Sequence, residues 1–471
     1  MTVLRHSLNY HHDSARLFSR IALEHWAMFL DSGQAIDSST GNPGSQYGHY
    51  DILVAKPIAT LVTDGDQTMI TEDGQTHTSS LDPFSLLNDF LSRYQAEEVD
   101  VPFAGGAMGY FAYDLGWRLE EINDKNKSED IPEMMIGIYD WAVVVDHRKQ
   151  SSVLISHGFS ENTRQNWALL CDLFEAPYEV IEQSFEATSD PSCNFTEATY
   201  TQAFNQVKSY IKSGDCYQVN LAQRFSAQVQ GDSWTAYKKL RDISPAPFMA
   251  YMQFPHWKSE KFSVLSNSPE RFIQVVSNHV ETRPIKGTMP RSEDPVQDAA
   301  YAKALQESSK DQAENLMIVD LLRSDIGKNC ITGSVKVEKL FLLQSFANVH
   351  HLVSIVTAKL KEGATVIDLL KGCFPGGSIT GAPKVRSMQI IEELEPNRRG
   401  VYCGAIGYIG FDGKMDTNIA IRTAVICNGE LSYYAGGGIV DDSISRKEYL
   451  ETLDKAATIA KLIKSCKRHC L

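Results

Sequence analysis

The chain has 471 residues, and 45 Lys and Arg against 59 Asp and Glu give it a formal net charge of −14. At 43% hydrophobic and 22% charged it is globular in composition, which excludes a disordered or fibrous chain. The acid excess also argues against a sequence-independent nucleic-acid binder, whose phosphate affinity rests on clustered Lys and Arg.

No run approaches the ~20 apolar residues that span a bilayer. The polar, His-rich start, Met1 to His12, lacks the apolar core of a secretory signal. Nine Cys are scattered without a CxxC pair, so neither a zinc ribbon nor a disulfide framework is expected. The expectation is a reduced, soluble, cytoplasmic protein.

In chain order, short strands are expected at Asp51 to Ala55 and Ile58 to Val62, then a helix from Pro83 to Tyr94. Ile136 to Val145 and Ser152 to Ser156 read as strands, and Glu161 to Glu175 as a helix. Gln183 to Asn194, polar and carrying Pro191, is the best linker, separating a region at 1–182 from one at 195–465. Tyr200, Phe204, Val207 and Ile211 space a core-facing helix over Thr196 to Lys212, stopped by Gly214. Strands follow at Tyr217 to Phe225, Phe262 to Asn267, Phe272 to Val276 and His279 to Thr282. One long helix is expected from Val296 to about Ile326. Strands at Val335 to Phe341 and His351 to Leu360 precede a helix at Val366 to Lys371. The end adds strands at Cys403 to Gly410, Asn418 to Ile426 and Leu431 to Ala435, then a final helix. Strands without regular βα alternation favour an α+β fold.

Four groups of residues can carry chemistry. Lys286 lies between Ile285 and Gly287, close to Arg283; it is either a nucleophile or a surface lysine. A nucleophilic role requires its pKa to fall by roughly 2–3 units through burial or a neighbouring cation. Asp311, Glu314, Asp320 and Asp325 share one helix, as ligands for a hard cation or as a solvated acidic edge. On the last helix, Ser445 and Glu448 fit a capping box, leaving Glu451 as the freer candidate ligand. The Gly-rich run Pro375 to Lys384 leads into a helix N-terminus, and Gly436, Gly437 and Gly438 end a strand; both suit anions. Arg422, expected on a strand, can clamp a carboxylate. Two anion sites beside a candidate Mg²⁺ site suggest a small dicarboxylate substrate.

Together these stretches resemble the chorismate-utilising enzymes, which make anthranilate, aminodeoxychorismate, isochorismate or salicylate. The resemblance is strong over Thr196 to Leu462, at Gly214 to Phe225, Ser268 to Phe272, Arg283 to Arg291, Glu314 to Gly327, Gly376 to Arg386, Gly404 to Tyr408 and Gly436 to Lys455. It implies two large packed antiparallel sheets with outer helices and chorismate between them. The Pro-Ile-Lys-Gly-Thr sequence around Lys286 resembles the aminodeoxychorismate branch, on the path to p-aminobenzoate and folate; anthranilate synthases carry Ala there. Water-adding members carry a Lys base at the position of Gln218. The alternatives are another chorismate branch, or a silent subunit that kept the pocket.

By the same resemblance, Glu314 and Glu451 bind Mg²⁺ with Glu448 nearby. Lys286 is the nucleophile and Glu270 the general acid/base. Gly287, Thr288, Tyr402, Arg422 and Gly436 to Gly438 hold chorismate, helped by Thr380, Lys384 and His351. A glutaminase needs a Gly-x-Cys-x-Gly turn, and Gly372-Cys373-Phe374-Pro375-Gly376 misses it by one residue. A separate glutamine amidotransferase subunit is therefore the implied partner. Ser32, Tyr47, Tyr50, Pro247, Phe248 and Met249 match a pocket that holds tryptophan in the family, or else form a packing seam.

Overall fold

The strand Ala27–Asp31 shows how the layers form. Its residues alternate: Ala27 and Phe29 pack with Phe18, Trp234 and Leu240 on one face, while Met28 meets Met108, Tyr110 and Met135 on the other. Period-two alternation of apolar side chains on both faces demands cover on both. The computed structural model, which describes residues 3–33, 49–120, 122, 131–179, 183–257, 260–345 and 349–467, supplies it as four layers, helices outside two antiparallel sheets. The fold is α+β, as expected.

One sheet of 13 strands and one of 12 each draw on both halves of the chain. The aromatic contents of the seam between them include Tyr110, Phe254 and Phe262, in edge-to-face and stacked contacts. Helices Ser233–Ile243 and Ser445–Ser465 cover the outer face of the larger sheet through Trp234, Tyr237, Ile459 and Leu462. Helices Pro83–Leu91, Ser309–Gly327 and Val366–Cys373 cover the smaller sheet through Phe84, Val319 and Leu369. Among the described residues, no helix is long and apolar enough to cross a membrane.

Local signals fare well where the element is self-contained. The helix expected to stop at Gly214 spans Glu197–Ser213, and Gly214 closes it at φ 82°. His279–Thr282 is a strand with the expected bounds.

Four expectations are corrected. The long helix after Val296 is two, Pro295–Glu307 and Ser309–Gly327, because Ser308 leaves helical geometry and caps the second by accepting from the Asp311 N–H. The expected helix Glu161 to Glu175 likewise divides, at Asn166. Asn418 to Ile426 is not one strand: Met415–Ile419 belongs to the smaller sheet and Thr423–Cys427 to the larger. Arg422 therefore sits in the crossing between them, at φ 50°. Ser445 caps nothing, because the last helix begins one residue earlier than a capping box requires. Residues in 183–194 add two short strands, Phe185–Ala187 and Ser192–Cys193, beside the strand Gln218–Gly231.

Candidate active site

Two of the places where the chain passes between the sheets lie side by side. One crossing is Ala420-Ile421-Arg422. The other, Pro269-Glu270, joins Glu260–Ser268 of the larger sheet to Arg271–Val276 of the smaller. The crossings are laced together: the Ile419 N–H donates to the Glu270 carbonyl at 3.0 Å, and Asn267 N–H to the Arg422 carbonyl at 2.9 Å. The Ser268 hydroxyl donates to the Ile419 carbonyl at 2.6 Å. Two residues far apart in sequence, an acid and a base, are thereby held at one seam.

Glu270 is buried there, 6% exposed. Burial raises its carboxyl pKa, opposed by the Lys286 charge and by hydrogen bonds from the Ser378 hydroxyl and the Ile285 backbone. A carboxyl whose pKa is raised is suited to general-acid work.

Lys286 lies on Ile285–Pro290, the terminal strand of the smaller sheet. The ladder to Val349–Lys359 slips between Lys286 and Thr288, where Gly287 takes φ +79°. Such a bulge re-aims the preceding side chain. A Cβ at Gly287 would stand 2.8 Å from Leu305 and 3.0 Å from Asp311, so only glycine closes this turn. The Lys286 ammonium donates to the Ser378 carbonyl at 3.2 Å. Ser378 thus bridges acid and nucleophile, one through its hydroxyl and one through its carbonyl. Burial lowers the Lys286 pKa, with Lys455 adding to the effect and Glu314, Glu270 and Glu451 opposing it. The shift has the direction an amine nucleophile needs.

A carboxylate cluster faces this pair. Glu314 comes from Ser309–Gly327, and Glu448 and Glu451 from Ser445–Ser465. Glu448 is positioned not by a capping box but by the Ser443 hydroxyl, which donates to it at 2.6 Å. Gly437, on the strand Glu430–Ile439, lies below: a Cβ there would be 3.2 Å from a Glu448 oxygen and 3.6 Å from a Glu451 oxygen. Burial raises the pKa of Glu314, against the pull of Lys286 and Lys310, and that of Glu448, which the Glu451 charge raises further. Burial would raise Glu451 too, but Lys455, 2.7 Å away, holds it lower. Among the described residues, no three His, Cys, Asp or Glu side chains form a self-sufficient cation cage. The donor set still fits Mg²⁺, which takes one or two carboxylates and fills its shell with substrate oxygens and water. Acids crowded together, with Glu448 buried, Glu314 partly buried and Glu451 at the rim, and drawn toward ammonium groups, are the setting such an ion would neutralise.

The anion-holding side is built at the Arg422 crossing. Among the described residues the Arg422 guanidinium has no hydrogen-bond or ion-pair partner, and burial lowers its pKa. A desolvated, uncompensated guanidinium is a strong carboxylate receptor. His351 is buried beside it, pushed down to about 4 by burial and the Arg422 charge, and therefore neutral. Its Nδ1 lies 2.9 Å from the Thr288 hydroxyl. Across the sheet, Gly436, Gly437 and Gly438 pair with Ala222, Leu221 and Asn220. Gln218, fully buried, has neither amide atom satisfied, and the Asn220 Oδ1 is also unsatisfied. Orphaned buried amides beside a glycine strand suit a polar ligand.

Three expected substrate contacts are occupied with the fold itself. The Thr380 hydroxyl donates to the Gly376 and Gly377 carbonyls. Lys384 pairs with Asp325 at 2.6 Å and donates to the Cys373 carbonyl. Tyr402 stacks on Tyr434 with centroids 5.2 Å apart. Arg399, which has no sequence signal, ties the floor by donating to Glu395 and to the Ile379 and Asn220 carbonyls. Lys310 and Lys455 also went unnoticed in the sequence, although each stands four residues from a carboxylate, Glu314 and Glu451, the helical contact distance.

A separate cavity of about 690 Å³ opens at the other end of the larger sheet's Ala27–Asp31 strand. It is lined by Ser32, Tyr50, Pro247, Phe248 and Met249, with Asp31, Arg271 and Arg283. Tyr47 lies outside the described residues.

The sequence-family model for the chorismate binding enzymes matches residues 36–461. The chain belongs to that family. It is 46% identical over 460 residues to the aminodeoxychorismate synthase component 1 of Escherichia coli K12, covering 97% of each protein. It is 36% identical over 433 residues to the anthranilate synthase component 1 of Pseudomonas putida, covering 88% of this chain and 86% of that one. Of solved structures, anthranilate synthase component I from Streptococcus pneumoniae superposes with a TM-score of 0.76 at 31% identity, over 88% of this chain and 93% of that one. The menaquinone-specific isochorismate synthase of Escherichia coli shares the fold, with a TM-score of 0.73 at 18% identity over 98% and 94% of the two chains.

Proposed function

We propose that this chorismate binding enzyme aminates chorismate to 4-amino-4-deoxychorismate, taking ammonia from a separate glutamine amidotransferase subunit. The observation that carries the reading is Lys286, shared through Ser378 with the buried acid Glu270. The likeness to aminodeoxychorismate synthase component 1 over nearly the whole chain supports it, and "component 1" itself points to a second subunit. The cysteines among the described residues are free, which suits the reducing cytoplasm.

Arg422 receives a substrate carboxylate, with neutral His351 and Thr288 beside it. Glu314, Glu448 and Glu451 would hold Mg²⁺, which when bound neutralises the ring carboxylate and withdraws electron density from the ring diene. Lys286 attacks C2 as the free amine. The ring double bonds shift, and Glu270 gives its proton to the departing 4-hydroxyl, which leaves as water. Ammonia then attacks C4, the double bonds shift back, and Lys286 leaves with its electron pair. The enolpyruvyl group stays attached, so no pyruvate is released.

We further assign the separate cavity to a tryptophan-like amino acid, for which Pro247, Phe248 and Met249 offer apolar walls.

The test is incubation of the purified chain with chorismate, Mg²⁺ and ammonium salt, following product mass and pyruvate. The expected outcome is an aminated product without pyruvate, converted to p-aminobenzoate only when a lyase is added. Pyruvate release with anthranilate or salicylate would overturn the reading.

A further inference from the structure

Lys310 is placed where its own helix has little use for it. It is the second residue of Ser309–Gly327, at the positive end of the helix dipole, where a cation is unfavourable. Its partner one turn on, Glu314, stands C-terminal to it, the weaker order for a helical ion pair. What the position does provide is reach across to another helix. The Lys310 ammonium is 3.8 Å from Glu314 and 3.9 Å from Glu448, one carboxylate on each side. The side chain remains 47% exposed, so it can swing away without unpacking the core.

We propose that Lys310 is a resident counter-ion, an ammonium lodged between Glu314 and Glu448 that a divalent cation must displace. The inference rests on the reading of Glu314, Glu448 and Glu451 as the Mg²⁺ ligands. Two roles follow from one geometry. With the site empty, the ammonium screens carboxylates that would otherwise repel one another across the cleft. When Mg²⁺ arrives, the ion must first displace this attraction, so the free protein binds it more weakly than the acids alone would. A bound substrate carboxylate adds ligands to the ion but none to the ammonium's hold. Lys310 therefore weakens Mg²⁺ binding by the same factor with and without substrate, and the ligands a substrate carboxylate brings are what offset that cost.

The experiment is calorimetric titration of MgCl₂ into the full-length chain, with and without chorismate, for the native protein, Lys310→Gln, Lys310→Arg and Glu314→Gln. Lys310→Gln is expected to tighten Mg²⁺ binding to the free protein on the order of tenfold, the scale of two half-exposed ion pairs together. The same factor is expected in the presence of chorismate, because the ammonium's hold on Glu314 and Glu448 does not depend on the substrate. Lys310→Arg, which keeps the charge, is expected to stay near the native affinity and shows that the effect is not one of folding. If the native chain binds Mg²⁺ and Lys310→Gln binds it no more tightly, the counter-ion role is overturned. If the native chain binds Mg²⁺ no better than Glu314→Gln does, the metal assignment fails first and takes this inference with it.

Discussion

Replacing Glu270 by Gln tests the acid role most directly, because the two side chains are nearly isosteric and differ in the proton. The carbonyl oxygen of the amide can still accept from the Ser378 hydroxyl and the Ile285 N–H, so the seam between the sheets should hold. What is lost is proton donation to the departing hydroxyl, worth typically 10²–10⁴-fold, or about 3–5 kcal/mol of barrier. The pH profile carries a second signature. Glu270 works as the acid form with a raised pKa, so the native rate falls as pH rises through that value. Lys286 works as the free amine with a lowered pKa, so the rate climbs as pH rises through that one. Glu270→Gln should lose the first dependence and keep the second. Stability should move the other way. A carboxyl whose folded pKa lies above its unfolded value stabilises the fold below the unfolded pKa, and that contribution is lost as pH rises through the folded one. An amide escapes this loss, so the melting temperature at pH 8 should equal or exceed the native one. The assay is steady-state amination from pH 6 to 9 with parallel melts. A folded variant within about threefold of the native rate, far short of the general-acid range, would refute the assignment.

Lys286→Ala should abolish amination at C4, and ammonia adding instead at C2 would appear as a product isomer resolved by chromatography. Unchanged C4 product from that variant would remove the covalent route. Arg422→Gln should raise the KM for chorismate by roughly 10–100-fold with little change in melting temperature, since a charge-assisted hydrogen bond contributes about 1.5–3 kcal/mol and this guanidinium has no partner among the described residues. Lys384→Met should lower stability by about 3 kcal/mol in denaturant titration, because a buried Asp325 then keeps only the half-exposed Lys328; a loss of substrate affinity with unchanged stability would instead make Lys384 a substrate contact.

The chemistry-bearing residue types were legible in the chain: a lysine before glycine, spaced carboxylates on two helices, glycine runs and an arginine. They were legible because a bulge, a helix face and a glycine strand are short-range features whose spacing the backbone imposes. The helix ending at Gly214 and the strand His279–Thr282 came through for the same reason. The breaks at Ser308 and Arg422 did not, because nothing in their local periodicity records that the chain must turn from one packed layer to the next. The occupation of Lys384 was hidden too, since Asp325 is 59 residues away and meets it only when two helices pack. Short motifs, together with their resemblance to the chorismate-utilising enzymes, therefore determined which groups this protein has for chorismate chemistry. Only the packing of two sheets, crossed twice at one seam, decided which of them share a desolvated site and which spend their charge on the fold, because desolvation and Coulomb pairing depend on distance in space.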